Sequence, residues 1–244
     1  MTLTQTLQQL EAAGTAQTRK TYARHGVGPN MFGVSYATLG KLTRAIKRDH
    51  ALALGLWASG NHDARVLAIM IADPAQATAD LLNEWVAACD NSGLSGALAK
   101  FTARTVSASV RAEEWCAEPR EFIAVTGWDV VAELALASSE PDAEFAACLK
   151  TIEREISTAP NYVRYAMNGA LIAIGVRNSK LEKLAVAAAK RIGKVEVDHG
   201  DTSCKTPDAV AYIAKTKAHR AKKGKKSAVF SVQWQRTRSH PTEH

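Results

Sequence analysis

The sequence predicts an all-α protein, an α-solenoid in which antiparallel helix pairs stack side by side. Apolar residues make up 46% of the 244 residues, whereas Gly and Pro, the two strongest helix breakers, number 15 and 7. Apolar residues recur at helical spacing along most of the chain, and β-branched runs are short. The helical segments come in pairs joined by short turns, and each pair has to bury its apolar face on the next pair.

The first half of the chain carries helical patterns with recognisable starts. Ser35 and Asn61 are residue types that cap helix N-termini, and the Gly- and Pro-containing stretch His25–Asn30 is typical of a loop. The predicted helices are Leu3–Ala13, Gln17–Arg24, Tyr36–Ile46, His50–Ser59, Asp63–Ile71, a helix from Asp73-Pro74 to Cys89, and Leu94–Ala103.

The second half continues the series. Pro119 and Pro141 fit the first turn of a helix, where a missing N–H costs nothing. The predicted helices are Ser107–Cys116, Pro119 to Ala137, Pro141 to Ser157, Tyr162–Gly175, Ser179–Ile192 and, after an irregular segment, Asp208 to Lys217. We therefore expect one right-handed solenoid over residues 1–216 and a basic, disordered tail over 217–244.

The net charge of +7 comes mainly from the C-terminal region. Nine of the 31 Lys and Arg residues, but only one of the 24 acidic residues, lie within 209–244. A basic tail can bind nucleic acid through its phosphates without reading sequence, or it can be a solvated tail that aids solubility. The nearly neutral body does not by itself predict a DNA groove.

The composition also indicates the cellular compartment of the protein and the state of its cysteines. No apolar run is long enough to span a bilayer, and the N-terminus lacks a signal-peptide pattern, so we expect a soluble, cytoplasmic protein. The cysteines are far apart and form no CxxC pair. We expect reduced thiols, with Cys89, Cys116 and Cys148 in the core, and neither a metal nor a cofactor.

The segment Asn161–Gly175 combines an almost wholly apolar helix with three polar residues. Asn161, Arg164 and Asn168 are spaced i, i+3 and i+7, so they share one face. An isolated buried guanidinium is very costly. The stripe is therefore either paired inside the protein or lines a cleft that receives an anion.

Several segments occur in a characteristic order, among them Phe32-Gly-Val-Ser35, Asn61-His-Asp-Ala-Arg65, Trp85 leading to Asp90-Asn91, and Arg164-Tyr-Ala-Met-Asn-Gly-Ala-Leu171. Together they resemble the HEAT-like repeat alkylpurine DNA glycosylases of the DNA alkylation repair family, over about residues 1–215. The resemblance implies HEAT-like helix pairs and a concave basic face that grips duplex DNA. It also implies excision of cationic alkylated purines, with an aspartate that stabilises the positive sugar and an aromatic pair beside it.

The chain departs from that family pattern at the catalytic positions. Ser92 stands where the resemblance places a tryptophan, Gly96 where it places the aspartate, and Gly169 or Ala170 where it places the second tryptophan. Asp90 is the nearest carboxylate, and it is either a helix-end residue or a displaced catalyst. We therefore expect release of alkylated purines to be at or near the spontaneous rate.

Two polar clusters allow an alternative chemistry. His62 and Asp63 could form an acid–base pair, although Asn61 as a cap and Asp63 in a first helical turn explain them better. The segment Asp198–Lys205 contains His199 and Cys204, residue types that can hold a metal or form a nucleophilic pair. The alternative is a loop that packs on the last repeats.

Tryptophans at helical spacing are either core residues or base-stacking groups. They are Trp57, Trp85, Trp115 and Trp128. We single out Trp128 because Gly127 beside it permits close approach of another molecule.

These observations predict a monomeric protein that binds double-stranded DNA. We expect contacts through Arg164, Asn168, Lys205, Trp128 and Arg65, with Asp90 as the candidate catalytic residue. A non-enzymatic scaffold whose concave face binds a protein partner is the alternative function. An enzyme of different chemistry at the Asp198–Lys205 segment is the third hypothesis.

Overall fold

A computed structural model describes residues 1–220, and no strand occurs within them. The α-helices are α1 (Leu3–Ala13), α2 (Ala16–Arg24), α3 (Tyr36–Ile46), α4 (His50–Ala58), α5 (His62–Ile71), α6 (Ala79–Ala87), α7 (Ser92–Thr102), α8 (Ala108–Cys116), α9 (Glu121–Ala137), α10 (Asp142–Glu155), α11 (Asn161–Gly175), α12 (Ser179–Ile192) and α13 (residues 209–220). The predicted all-α fold is confirmed.

Polar caps set most of the helix starts. A side-chain oxygen accepts a backbone N–H of the first turn at Thr2, Thr15, Ser35, Asp49, Asn61, Thr78, Asn91 and Asn178. Because Asn91 caps α7, that helix begins at Ser92 and not at Leu94 as predicted.

The predicted helix from Asp73 to Cys89 is wrong in its first turn. The Asp73 carboxylate accepts the N–H of Ala75 and closes a single turn of 3-10 helix over Pro74–Gln76. Thr78 then caps α6, which starts the chain in a new direction. The cap at Thr78, a common residue type at helix starts, decided the boundary.

The helices form two layers. Helices α5, α7, α9 and α11 pack on one another in sequence, and we call them the inner layer. Helices α8, α10 and α12 pack behind them and form the outer layer. In a solenoid one helix of each pair lines the concave surface, and we take the continuous inner layer to be that side of the stack.

A continuous apolar core lies between the layers. It includes Trp57, Trp85 and Trp115, so these tryptophans are core residues. The rings of Trp57 and Trp85 stack with their centroids 4.4 Å apart. Cys89 is buried and Cys116 and Cys148 are partly buried, and burial raises the pKa of each thiol.

The chain continues past the predicted end of the solenoid. Lys217 pairs with Glu182 on α12, and Arg220 donates to the carbonyl oxygen of Val176 at 3.0 Å. The boundary expected at residue 216 is therefore too early, because α13 reaches at least residue 220. The rest of the predicted tail, residues 221–244, lies outside the described residues. None of the helices within residues 1–220 has the length and hydropathy to cross a membrane.

Candidate nucleic-acid interface

Basic side chains of the inner layer have no acidic partners. Arg65 lies on α5, Lys100 on α7, Arg104 just after it, and Arg164 on α11. Within residues 1–220 none of the four forms an ion pair. Most ion pairs lie on or beside the outer layer, namely Arg111–Glu114, Arg154–Glu155, Arg177–Asp142, Arg191–Glu153 and Lys217–Glu182.

Two of these cations border a groove at one end of the inner layer. The groove has a volume of about 570 Å³ and crosses the C-terminal ends of α3, α5, α7 and α9. Lys100 and Arg104 line one side of it, and Glu133 of α9 lines the other. Neither basic side chain has a carboxylate partner there, so both can receive a phosphate.

Arg164 lines a larger cavity, beside α11 near the C-terminal end of the stack. The cavity has a volume of about 850 Å³ and lies between α11 and the segment 193–209. The Nε atom of Arg164 is buried and has no hydrogen-bond partner within the described residues. Of the two alternatives for this arginine, the structure shows the cleft and not the internal ion pair.

The two asparagines of the stripe have a different role from Arg164. Asn161 exchanges two hydrogen bonds with the backbone of Asp198, each 2.8 Å long. Asn168 is 2% exposed and donates to the carbonyl oxygen of Pro207 at 3.0 Å. This corrects the expectation that Asn168 contacts DNA, because its amide is committed to holding the segment 193–209 on α11.

The segment Asp198–Lys205 is a loop packed on the last repeats. The Nε2 atom of His199 lies 3.0 Å from the Thr206 hydroxyl, and its ring meets the edge of Tyr165 with centroids 5.3 Å apart. No hydrogen bond joins His199 to Cys204, so a nucleophilic pair is not formed. Within residues 1–220 no group of three His, Cys, Asp or Glu side chains could hold a metal ion. Lys205 is exposed and lines the same cavity as Arg164.

Arg65 lies on an aromatic stack. Its guanidinium carbon is 5.1 Å from the centroid of Trp57, which in turn stacks on Trp85. Its Nε is buried without a hydrogen-bond partner in the described part of the chain. Arg65 and Asp90 line one small pocket of about 150 Å³, and Asp90 is exposed. The Asp90 carboxylate accepts a hydrogen bond from the side chain of Asn91 at 2.7 Å.

Trp128 is not part of this surface. Its side chain is 2% exposed and packs in the core, which leaves no ring face open to a base. The neighbouring Gly127 does permit a close approach, but of α8: a Cβ there would lie 2.5 Å from the backbone nitrogen of Cys116. The expectation that Trp128 contacts DNA is corrected on this ground.

Asp63 has a structural task that sequence reasoning missed. Its fully buried carboxylate accepts the backbone N–H groups of Phe32, Gly33 and Val34 at 2.7, 2.9 and 2.8 Å. Gly33 has a φ of +80°, and a Cβ there would lie 2.8 Å from the carbonyl oxygen of Thr15. Both carboxylate oxygens are occupied, so Asp63 is not the base of an acid–base pair with His62.

Residues 6–213 match the family described as DNA alkylation repair enzyme. The chain belongs to this family. The contacts of Asp63 join two of its motifs, since they tie the Asn61–Arg65 turn to the Phe32–Ser35 segment.

Two Listeria proteins are similar to this family member over nearly their whole length. An uncharacterized protein of Listeria innocua is 31% identical over 215 residues, which cover 86% of this chain and 94% of the relative. An uncharacterized protein of Listeria monocytogenes is 30% identical over 215 residues, with the same coverage of 86% and 94%.

A solved structure has the same fold. It is described as a new family of proteins related to the HEAT-like repeat DNA glycosylases with affinity for branched DNA structures. It superposes with a TM-score of 0.81 at 27% identity and covers 91% of this chain and 95% of its own. The predicted α-solenoid of HEAT-like helix pairs is thereby confirmed.

This member of the DNA alkylation repair family has glycines at two positions where the resemblance places catalytic side chains. A Cβ at Gly169 of α11 would meet no atom within 4 Å, so the surface there is open. A Cβ at Gly96 of α7 would meet one atom, Oδ2 of Asp129, at 3.7 Å. A carboxylate of α9 therefore lies in front of Gly96.

The environment of Asp129 is unusual for a carboxyl group. Burial raises its pKa to about 7, the charge of Glu133 adds to the shift, and Lys100 opposes it. No hydrogen bond to Asp129 occurs within residues 1–220. The sequence indicated only Asp90 as a carboxylate near Gly96, whereas packing brings one from the next inner helix.

Proposed function

We propose that this protein binds DNA across its inner layer, with a preference for branched DNA over linear duplex, and that it does not excise bases. The observation that carries the proposal is the set of inner-layer cations without ion pairs, Arg65, Lys100, Arg104 and Arg164. The structural relative described as having affinity for branched DNA supports the choice of ligand.

An unpaired cation binds a phosphate at a lower electrostatic cost than a cation that is held in an ion pair. An arginine or lysine held in an ion pair has to lose that partner before it can bind a phosphate, whereas an unpaired one only releases water and counterions. Cations on three of the four inner helices, α5, α7 and α11, with Lys205 beside the last, form an interrupted track along the stack. Such a track fits a charged strand and explains binding without base readout.

Base excision is not expected because the positions where the resemblance places groups that stabilise the cationic sugar are not occupied by such side chains. Gly96 and Gly169 offer no side chains, and Trp128 is buried. Asp90 is exposed beside Arg65 and remains the candidate carboxylate should excision occur. We further propose that the protein binds DNA in the cytoplasm and as a monomer.

A protein-binding scaffold is the second candidate, and one feature favours it. Val106 is fully exposed just before α8, and Val110 on that helix is half-exposed. Exposed valines at the outer layer suit a protein contact rather than phosphates.

The test is a gel-shift titration with a four-way junction and a linear duplex of equal length, across a salt series. Replacing Lys100 and Arg104 with glutamine should weaken binding and reduce the salt dependence by about one unit of slope per charge. The matched control replaces Arg154 and Arg191, two outer-layer arginines, with glutamine. Equal losses in the two double variants would contradict an inner-layer interface, and absence of DNA binding would favour the scaffold.

A further inference from the structure

The Asp129 carboxylate, like that of Glu133 one turn later, is an inner-layer group whose charge does not suit a phosphate. It lies on α9, between two helices that carry the DNA-facing cations, Lys100 on α7 and Arg164 on α11. Within the described residues no donor reaches it, although it is partly buried. A carboxylate in such surroundings is stabilised by a ligand that brings N–H donors.

The helices on either side leave room for such a ligand. Gly96 is half-buried on α7, and Gly169 is exposed on α11. An added Cβ would meet only Asp129 at Gly96 and no atom within 4 Å at Gly169. The opening over Asp129 is therefore bordered by backbone, which lets a flat group approach.

An aromatic side chain stands beside this opening. Tyr165 of α11 is 41% exposed, and His199 meets its ring edge-on at 5.3 Å and 89°. Tyr165 lies one helical turn before the exposed Gly169 on α11, so its ring and the opening share one face of that helix. An exposed tyrosine ring is a stacking platform for a base.

A nucleobase is the ligand that combines a flat ring with N–H donors. Guanine suits a carboxylate best, because its ring N1–H and its exocyclic amine lie side by side and match the two carboxylate oxygens. Thymine offers one N–H between two carbonyl oxygens, which a carboxylate repels. A base can reach the site only when it is unpaired, as bases at a branch point are.

We propose that Asp129 binds the Watson–Crick edge of an unpaired guanine at a DNA branch point, with the base beside Tyr165. The proposal rests on the proposed DNA-binding function and adds a site that recognises one base. It gives the inner surface a readout that the surrounding cations lack.

The test uses the full-length protein and three-way junctions with one unpaired nucleotide at the branch point. Guanine is compared with inosine, which lacks only the exocyclic amine, and with thymine. We expect the guanine junction to bind about tenfold more tightly than the thymine junction, with inosine between them.

Two variants make the assignment specific. Asp129→Asn replaces one acceptor oxygen with an NH₂ donor, so the preference for guanine should disappear. Glu133→Gln removes the same charge from the same helix one turn later, so it should keep the preference. Glu133→Gln should bind all junctions somewhat more tightly, since it removes a negative charge from a phosphate-binding surface. Asp129→Asn should lose affinity for the guanine junction, which should then bind no more tightly than the thymine junction.

The outcomes are distinguishable. A guanine preference that is lost in Asp129→Asn and kept in Glu133→Gln supports the site. Equal binding of the three junctions by the wild-type protein, or a preference that survives in Asp129→Asn, overturns it while leaving DNA binding intact. Failure to bind any junction overturns the proposed function together with this inference.

Discussion

The carboxylate of Asp63 accepts the backbone N–H of Gly33 at 2.9 Å, although the two residues are 30 positions apart in sequence. With the neighbouring bonds to Phe32 and Val34, it fixes the segment between α2 and α3 against the start of α5. These bonds add to the apolar contacts of Leu10, Val34 and Leu39 in holding the first repeats to the stack.

Removing this carboxylate should cost more than removing an ordinary cap. Asp63→Ala leaves three buried N–H groups without an acceptor, and we expect a loss of about 3–5 kcal/mol in the free energy of unfolding. Asp49→Ala is the control, because Asp49 caps α4 through one bond to Leu52, worth about 1 kcal/mol. Urea unfolding measures both, and equal losses would contradict the role given to Asp63.

Arg164→Ala separates a cleft arginine from a structural one. Because no ion pair holds Arg164, we expect the free energy of unfolding to change by no more than about 1 kcal/mol while affinity for DNA falls. Arg191→Ala on the outer layer removes the same charge and should leave binding unchanged. A loss of about 3–5 kcal/mol in Arg164→Ala would show a buried pair instead.

Truncation after Arg220 tests the share of binding carried by the basic tail. Residues 221–244 contain six Lys and Arg residues and one acid, while the contacts of Lys217 and Arg220 remain in the shortened chain. We expect weaker binding and a shallower dependence on salt, because fewer counterions are released. Binding equal to that of the full chain, measured by the same gel shift, would remove the tail from the interface.

Release of alkylated purines should match the spontaneous rate. No side chain extends from Gly96 or Gly169 to stabilise the cationic sugar that forms as a base departs. The measurement is free base released from methylated duplex DNA, compared with a control without protein. If release is fast, Asp90→Asn and Asp129→Asn are the variants that identify the responsible carboxylate.

The Asp129 carboxyl predicts a specific pH dependence of stability. Its pKa is about 7 in the folded protein and near 3.8 when unfolded, so the folded state binds more protons in this range and stability falls as pH rises from about 4 to 7. Asp129→Asn should remove this loss and raise the unfolding free energy by about 1–2 kcal/mol at pH 8, but not at pH 4. Thermal melts of the variant and of the wild-type protein at pH 8 and pH 4 measure this difference in stability. An equal effect at the two values would mean that the carboxyl is not perturbed. Glu133→Gln should weaken the pH dependence in part, because the charge of Glu133 contributes to the raised pKa of Asp129.

The overall architecture was predictable because helix periodicity, caps and short turns act locally. The exceptions were also local: the Asp73 turn before α6 competes with a longer helix, and Asn91 starts α7 earlier than the apolar pattern. Propensity patterns are insensitive to one hydrogen bond at a boundary, which is where both errors arose.

The interface was predictable only in part. Arg164, Arg65 and Lys205 line cavities, and their contact with DNA stays a prediction. Asn168 and Trp128 are buried and make internal contacts. The sequence did not predict this, because burial depends on which helix packs opposite each residue. Asp129 in front of Gly96 could not be found either, since 33 positions separate residues that only packing brings together.

The four cysteines differ in burial, which allows one of them to be labelled selectively. Burial raises the pKa of Cys89 to about 12 and that of Cys148 to about 11, and Cys116 shifts in the same direction. Cys204 is the exposed cysteine, and it lies on the rim of the cavity that contains Arg164 and Lys205. A maleimide dye should therefore attach at this one position in the native protein without any engineered change. Its emission would then report directly, in real time, when a nucleic acid strand enters or leaves that end of the solenoid.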